Sequence, residues 1–117
     1  MNIGIDFGHY SIKIVALDNN KIYFSKNGTF VASGNPSTGA NGQTITAASS
    51  TIDGFYRFGF GDNNSTGSST FQFNFGNGFF GTTAITSAGS NGNGSLFEYD
   101  VPSGFYALNT KNINTYG

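Results

Sequence analysis

The sequence contains no cysteine and no tryptophan, and its 117 residues include a single histidine, His9. Without cysteine the chain can form no disulfide and has no thiolate to offer a metal ion. One imidazole and six scattered carboxylates do not form the clustered ligand set that a transition metal requires. We therefore expect no metal site and no cofactor.

Charged residues are scarce as well, with 5 basic and 6 acidic side chains and a net charge of −1. The cations are scattered and form no basic patch, so we expect no nucleic-acid partner. No run of about 18 apolar residues is present, so we expect no membrane insertion. Cytosolic enzymes carry about a quarter charged residues. A low charge with abundant small polar residues favours an extracellular or virion surface instead.

Small polar residues and phenylalanine dominate what is present. Glycine, asparagine, serine and threonine make up about half of the chain, and 13 phenylalanines supply much of its apolar content. These small residues favour turns and weaken helices, and no window of ten residues has apolar residues at helical spacing without a glycine or asparagine inside it. The composition predicts one all-β domain over residues 1–117 with a core of aromatic rings, formed among others by Phe58, Phe71, Phe73 and Phe75.

Alternating apolar residues predict the strands. Residues 11–17, 21–26 and 29–32 form a meander, and Asn27-Gly28 is typical of a two-residue hairpin turn with positive φ at both positions. Asp-Asn-Asn runs at 18–20 and 62–64 predict turns, with calcium ligation as an alternative. Further strands are predicted over residues 43–48, 55–60, 70–75, 79–86 and 96–101. Loops are predicted over 33–42, 61–68 and 87–95, an irregular segment over 102–108, and a C-terminal tail over 109–117.

The start of the chain has a local resemblance to a family of enzymes. Residues 3–15, with Asp6, Gly8 and the strand from Ser11 to Val15, resemble the first phosphate-binding hairpin of the actin-like ATPases. The resemblance implies backbone N–H groups close to phosphate and a metal ion held through water by Asp6. That fold needs two α/β subdomains, and no helix is predicted after residue 28. An actin-like ATPase fragment is therefore an alternative function.

Three longer motifs resemble another family. Residues 15–28 (VALDNNKIYFSKNG) resemble the central hairpin of SPRY-type domains. Residues 71–77 (FQFNFGN) resemble the later strand that ends in Asn-Phe-Gly. Residues 97–112 (FEYDVPSGFYALNTKN) resemble the closing segment of SPRY-like modules in bacteriophage and marine-virus structural proteins. The three motifs occur in the family's order over residues 11–112.

The SPRY resemblance implies a small antiparallel β-sandwich of the concanavalin-like type and a virion protein, such as a tail-fibre, tail-associated or capsid-decoration module. Only the C-terminal part of such a domain is matched. Either residues 1–10 supply a substitute strand or arm, or another chain completes the sandwich. We expect a non-enzymatic component of the virion surface, acting in assembly or host-surface binding, whose partners are other virion proteins or copies of itself. The residues expected in assembly are Met1, Ile3, Ile5, Phe7 and Tyr116.

The aromatic excess suggests a further alternative, a carbohydrate-binding module. Aromatic faces stack on sugar rings, and asparagine and serine side chains hydrogen-bond to hydroxyl groups. Tyrosines at the rim of the core or in a subunit interface are the simpler interpretation, because each buries a large area. The candidates for stacking on a host-surface glycan are Tyr10, Tyr23, Tyr56, Tyr99 and Tyr106.

No catalytic group is predicted. His9 has only Asp6 and Ser11 close in sequence, and partners that would complete a triad cannot be identified. Glu98 and Asp100 would share one face of a strand, which favours a solvated surface over a catalytic carboxylate pair.

Overall fold

The computed structural model describes residues 2–6, 12–16, 19–57, 59, 72–80 and 83–117, and it shows a small, mostly β domain. One six-stranded sheet has the order β4-β3-β2-β1-β8, with β5 also paired to β3. Its strands are β1 (Asn2–Asp6), β2 (Ile12–Ala16), β3 (Lys21–Lys26), β4 (Thr29–Phe30), β5 (Gln43–Thr44) and β8 (Phe105–Ala107). A separate hairpin holds β6 (Phe79–Phe80) and β7 (Thr83–Ala84), and one helix, α1 (Thr110–Tyr116), follows β8.

The predicted meander is present in the sheet. Strands β1 to β4 pair antiparallel, each with the next along the chain. Asn27 and Gly28 join β3 to β4 with φ values of 49° and 75°, and Lys26 faces Thr29 across the turn. The predicted two-residue hairpin turn is therefore confirmed, and its positive φ values explain the Asn-Gly pair.

Strand β8 corrects two predictions. Residues 105–107 are a strand, not part of an irregular segment, and the strand pairs parallel with β1, with Gly4 opposite Ala107. The sheet is therefore mixed, whereas an antiparallel arrangement was predicted. Pro102 and Gly104 precede this short strand and obscure its alternation. The partner that orders β8 lies at the other end of the chain, which no local pattern reveals.

Helix α1 is an exception to the predicted all-β character, which the strands otherwise bear out as a β-rich domain. The side chain of Asn109 caps its first turn by accepting a hydrogen bond from the Asn112 backbone N–H at 3.0 Å. The helix has seven residues and no apolar stripe, so its intrinsic propensity is low. Asn112 is fully buried and donates from Nδ2 to the Ala107 carbonyl at 3.0 Å. Its Oδ1 accepts from Asn93 Nδ2 at 3.0 Å, and this tertiary hydrogen bond helps to stabilise a helix that the composition does not predict.

Other predicted strands are shortened or absent. Residues 79–86 contain the β6–β7 hairpin, and residues 43–48 contribute only β5. Residues 55–57 and 59 are in no strand, and Phe58 and Phe60 lie outside the described residues. Residues 96–101 form no ladder beyond a single bridge from Leu96 to Asn77, although Phe97 and Val101 are buried. Residues 33–42 and 87–95, predicted as surface loops, are mostly exposed, except for Pro36, Gly92 and Ser95, and the predicted loop over 61–68 lies outside the described residues.

The segment before β6 reverses the predicted burial. Asn74 is fully buried, whereas Phe73 and Phe75 are half-buried and stack with ring centroids 6.2 Å apart. Asn74 Nδ2 donates to the Leu96 carbonyl at 2.6 Å, and its Oδ1 accepts from the Gly76 and Gly78 N–H groups at 2.7 and 3.1 Å. An amide is buried here because it satisfies backbone groups that otherwise have no partner.

The apolar core contains residues from β3, from β8 and from the segment that precedes β8. Its buried members are Tyr23, Phe97, Val101, Phe105 and Ala107, with Phe30 and Tyr99 packed against them. The rings of Tyr23 and Phe30 meet edge to face at 6.4 Å.

Candidate functional site

A surface cleft lies at an interruption in the edge of β3. Strand β5 pairs with the start of β3 at Lys21 and Ile22, and β4 pairs with its end at Ser25 and Lys26. The cleft has a volume of about 230 Å³. Its lining residues are Ile22, Tyr23, Phe24, Val31, Ala32, Asn41, Gly42 and Gln43.

The lining of the cleft combines apolar and amide side chains and includes no charged residue. Phe24 is 47% exposed and Val31 is 59% exposed. Asn41 donates from Nδ2 to the Ser33 carbonyl at 3.2 Å. Within the described parts of the chain, neither the Oδ1 atom of Asn41 nor the side-chain amide of Gln43 has a hydrogen-bond partner, so both can contact a ligand.

Tyr23 forms the floor of the cleft. Its side chain is only 2% exposed, and its hydroxyl group is buried without a hydrogen-bond partner among the residues the structure describes. Gly42 covers the ring so closely that a Cβ atom at this position would lie 2.5 Å from Tyr23 Cζ. Burial raises the pKa of the Tyr23 hydroxyl above its usual value, so the group stays protonated at neutral pH.

The unpaired hydroxyl predicts that Tyr23→Phe stabilises the protein. Removing a buried polar group without a partner should raise the free energy of unfolding by about 1 kcal/mol at pH 7. Unfolded tyrosine ionises at about pH 10. Because burial raises the pKa of Tyr23, ionisation of this group does not affect stability below that pH, and stability is lost as the pH rises further, since the unfolded chain ionises first. Tyr23→Phe should therefore weaken the loss of stability above about pH 10, measured by urea unfolding across this range.

Tyr56→Phe is the matched control for this substitution. The Tyr56 hydroxyl donates to the Thr46 carbonyl at 2.6 Å and lies 3.3 Å from Asn20 Oδ1. Its removal leaves acceptors without their donor, so this variant should be less stable than the wild type. An equal loss of stability in Tyr23→Phe and Tyr56→Phe would contradict the described environment of Tyr23.

The tyrosines predicted to stack on sugars do not come together. Tyr23 is buried in the floor of the cleft, and Tyr56 is half-buried with its hydroxyl bonded to the backbone. Tyr99 is half-buried against the core. Tyr106 is half-buried on β8, and Tyr10 lies outside the described residues. Only Tyr23 lines the cleft, and it does so without an exposed ring face.

The residues predicted for assembly occupy separate places. Ile3 and Ile5 lie in β1, which pairs with β2 on one side and β8 on the other. Tyr116, at the end of α1, is 40% exposed, and its ring stacks on that of Tyr106 with centroids 3.9 Å apart. Met1 and Phe7 lie outside the described residues.

Sequence reasoning missed an exposed apolar surface in the segment after β5. The Ile52 side chain is fully exposed and Phe55 is 54% exposed. The Arg57 guanidinium lies 5.1 Å from the centre of the Phe55 ring and contacts the Asp53 carboxylate at 2.9 Å. A strand was predicted over residues 55–60, whereas the described residues of this range, 55–57 and 59, are in no strand and follow Gly54, which has a φ of 72°.

The described acidic residues do not form a metal site, and one of them, Asp100, has a structural role. Asp100 accepts hydrogen bonds from the backbone N–H groups of Ser90 at 2.8 Å and Asn91 at 3.3 Å, which anchors the loop before β8. Across the described ranges, no three His, Cys, Asp or Glu side chains lie close enough to hold a metal ion. His9, Asp18 and residues 62–64 lie outside these ranges. The same part of the chain contains no helix that is long and apolar enough to cross a membrane.

Compared with known protein families, with curated proteins and with solved structures, the chain matches none of them.

Proposed function

We propose that this chain is a non-enzymatic structural module of a virion, acting in assembly or host-surface binding, with a SPRY-like β-sandwich that a partner chain completes. The three sequence motifs support the proposal, and the first of them includes the Asn27-Gly28 hairpin of the fold. The proposed partners are other virion proteins or further copies of this chain, and the proposed location is the surface of the particle.

The balance of exposed and buried apolar side chains carries the proposal. Among residues 19–57, 59, 72–79 and 84–117, whose burial the structure describes, five apolar residues form the buried core, and one of them is the small Ala107. The large apolar side chains that are at least 40% exposed are more numerous: Phe24, Val31, Ile52, Phe55, Phe79, Ile113 and Tyr116. Because exposed apolar area favours association, this surface is suited to contact with another chain.

The low charge of the chain also favours association with another chain. Only 5 basic and 6 acidic side chains are available to keep copies of the chain apart. Electrostatic repulsion is a principal means by which small domains with exposed apolar area stay monomeric. We therefore expect the chain to associate with itself when its natural partner is absent.

The experiment measures association by sedimentation velocity over a range of low protein concentrations. We expect the wild type to form an oligomer and the double variant Ile52→Asp/Phe55→Asp to shift towards monomer by at least about tenfold in Kd, because two exposed apolar contacts are lost and charge is added. Ser49→Asp/Ser50→Asp is the control, since it adds the same charge at neighbouring exposed positions. A wild type that stays monomeric would contradict this part of the proposal.

One observation favours the ATPase alternative. Parallel pairing, as between β1 and β8, is typical of α/β folds and is absent from an antiparallel sandwich. Asp6 is the last residue of β1, as the phosphate-hairpin resemblance requires. Against it, the described residues between β3 and β8 contain no α-helix. Binding of a fluorescent ATP analogue with magnesium, lost in Asp6→Asn, would support this alternative over the virion proposal.

A further inference from the structure

We infer that the cleft beside β3 binds one neutral sugar ring, with Phe24 and Val31 against the apolar face of the sugar and the Asn41 and Gln43 amides on its hydroxyl groups. This inference rests on the proposed role in host-surface binding and names the ligand of that role. The site differs from the set of tyrosines that the sequence suggested, since Tyr23 alone belongs to both.

The charge of the lining selects a neutral ligand. None of the eight lining residues is ionised at neutral pH, since Tyr23 is the only titratable one among them and tyrosine ionises at about pH 10. An anionic or cationic ligand would lose hydration on entering the cleft without gaining a partner of opposite charge. A sugar with no carboxylate, phosphate or amine loses no such hydration.

The mixture of side chains selects a ligand that is both apolar and polar. Phe24 and Val31 offer exposed apolar area, and hydrocarbon groups of a ligand gain by covering it. The amides of Asn41 and Gln43 need hydrogen-bond partners when a ligand displaces their water. An aliphatic or aromatic side chain from a protein partner would cover the apolar area but leave both amides unpaired. A pyranose ring presents C–H groups on one face and hydroxyl groups at its edge, and so satisfies both.

The volume of the cleft sets the size of the ligand. About 230 Å³ is smaller than the 300–1,000 Å³ or so of sites that take drug-sized molecules, which suggests room for a single ring. The mouth of the cleft is open to solvent, so further units of a glycan can extend away from the protein. A single ring has few atoms, and we expect a Kd of about 1 mM.

The experiment is a two-dimensional NMR titration of the ¹⁵N-labelled full chain with glucose, galactose and N-acetylglucosamine, each up to about 50 mM, well above the expected Kd. At least one of them should shift the amide signals of Phe24, Val31 and Gln43 in a saturable manner. N-acetylphenylalanine amide, titrated in the same way, represents the side chain of a protein partner, and glucuronate represents a charged sugar. Both should bind more weakly than the best neutral sugar.

Two variants locate the site, each with a matched control. Phe24→Ala and Gln43→Ala should each weaken binding at least fivefold. Phe79→Ala removes an equally exposed ring, and Gln72→Ala an exposed amide, both outside the cleft, and neither should change the Kd. Gln43 is exposed, so its variant tests the site even if Phe24→Ala fails to fold.

Three results would overturn the inference: no saturable shift with any neutral sugar, tighter binding of the phenylalanine amide or glucuronate, or equal affinity in the cleft variants and their controls. Each leaves the proposed virion role standing if the chain associates through the Ile52 and Phe55 surface. Conversely, sugar binding by a chain that stays monomeric would support the sugar site and contradict the proposed association.

Discussion

Replacing Asn74 with alanine should lower the free energy of unfolding by about 3 to 5 kcal/mol, because each buried polar group left without a partner costs about 1–3 kcal/mol. The side chain is fully buried and serves three backbone groups, the carbonyl of Leu96 and the N–H groups of Gly76 and Gly78. Alanine can replace none of these bonds. A loss of this size is a large part of the roughly 5–15 kcal/mol that stabilises a small domain.

Asn77→Ala is the control for Asn74→Ala. Asn77 lies three positions along the same segment and is exposed. Its replacement should change stability by no more than about 0.5 kcal/mol, the usual effect of a surface substitution. Chemical denaturation of both variants at neutral pH measures the difference. If the two were equally stable, Asn74 would not have the role that its hydrogen bonds indicate.

Replacing Gly28 with valine should cost more than about 2 kcal/mol, because two penalties add. The φ of Gly28 is 75°, a left-handed conformation that costs an L-residue about 1–2 kcal/mol. A Cβ atom at this position would also lie 2.7 Å from Tyr99 Cδ1. Tyr99 packs against the core, so moving its ring adds a packing penalty of about 1–3 kcal/mol.

Gly54→Val separates the two penalties. Gly54 has a similar φ of 72°, and a Cβ atom there would meet nothing within 4 Å. The backbone penalty alone should therefore appear at position 54, and the excess at position 28 measures the contact with Tyr99. The thermal midpoints and urea unfolding curves of both variants provide this comparison. A neutral Gly28→Val would contradict both the hairpin and the alignment of residues 15–28 with SPRY-type domains.

The first strands were predictable because their signals are local. Alternation over residues 11–17 and 21–26 depends on side chains that are neighbours in sequence, and the meander contains β2 and β3 within these ranges. The Asn27-Gly28 turn was predictable for the same reason, since positive φ at two successive positions restricts the residue types that fit.

The cleft could not be predicted, because its walls come from three places in the chain. Ile22, Tyr23 and Phe24 belong to β3, Val31 and Ala32 follow β4, and residues 41–43 return before and within β5. Whether β4 and β5 meet or leave a gap along β3 depends on the path of the connecting loop. Tyr23 was predicted as a sugar-stacking candidate, but the position of Gly42 decides that its ring is covered.

The sequence by itself determined the β-rich character, the low charge and the hairpin, since composition, periodicity and turn chemistry act over a few residues. Only the tertiary structure decided that β8 pairs parallel with β1, that Asn109 and Asn112 order a helix, and that Asn74 is buried between two half-buried phenylalanines. In each case the deciding interaction is a strand pairing or a hydrogen bond. Its partner is either a distant segment or a backbone group, and neither is visible in the local sequence pattern. The sequence does not distinguish an asparagine that faces solvent from one that hydrogen-bonds to buried backbone groups. The difference depends on which backbone groups lack a hydrogen-bond partner once the chain has folded.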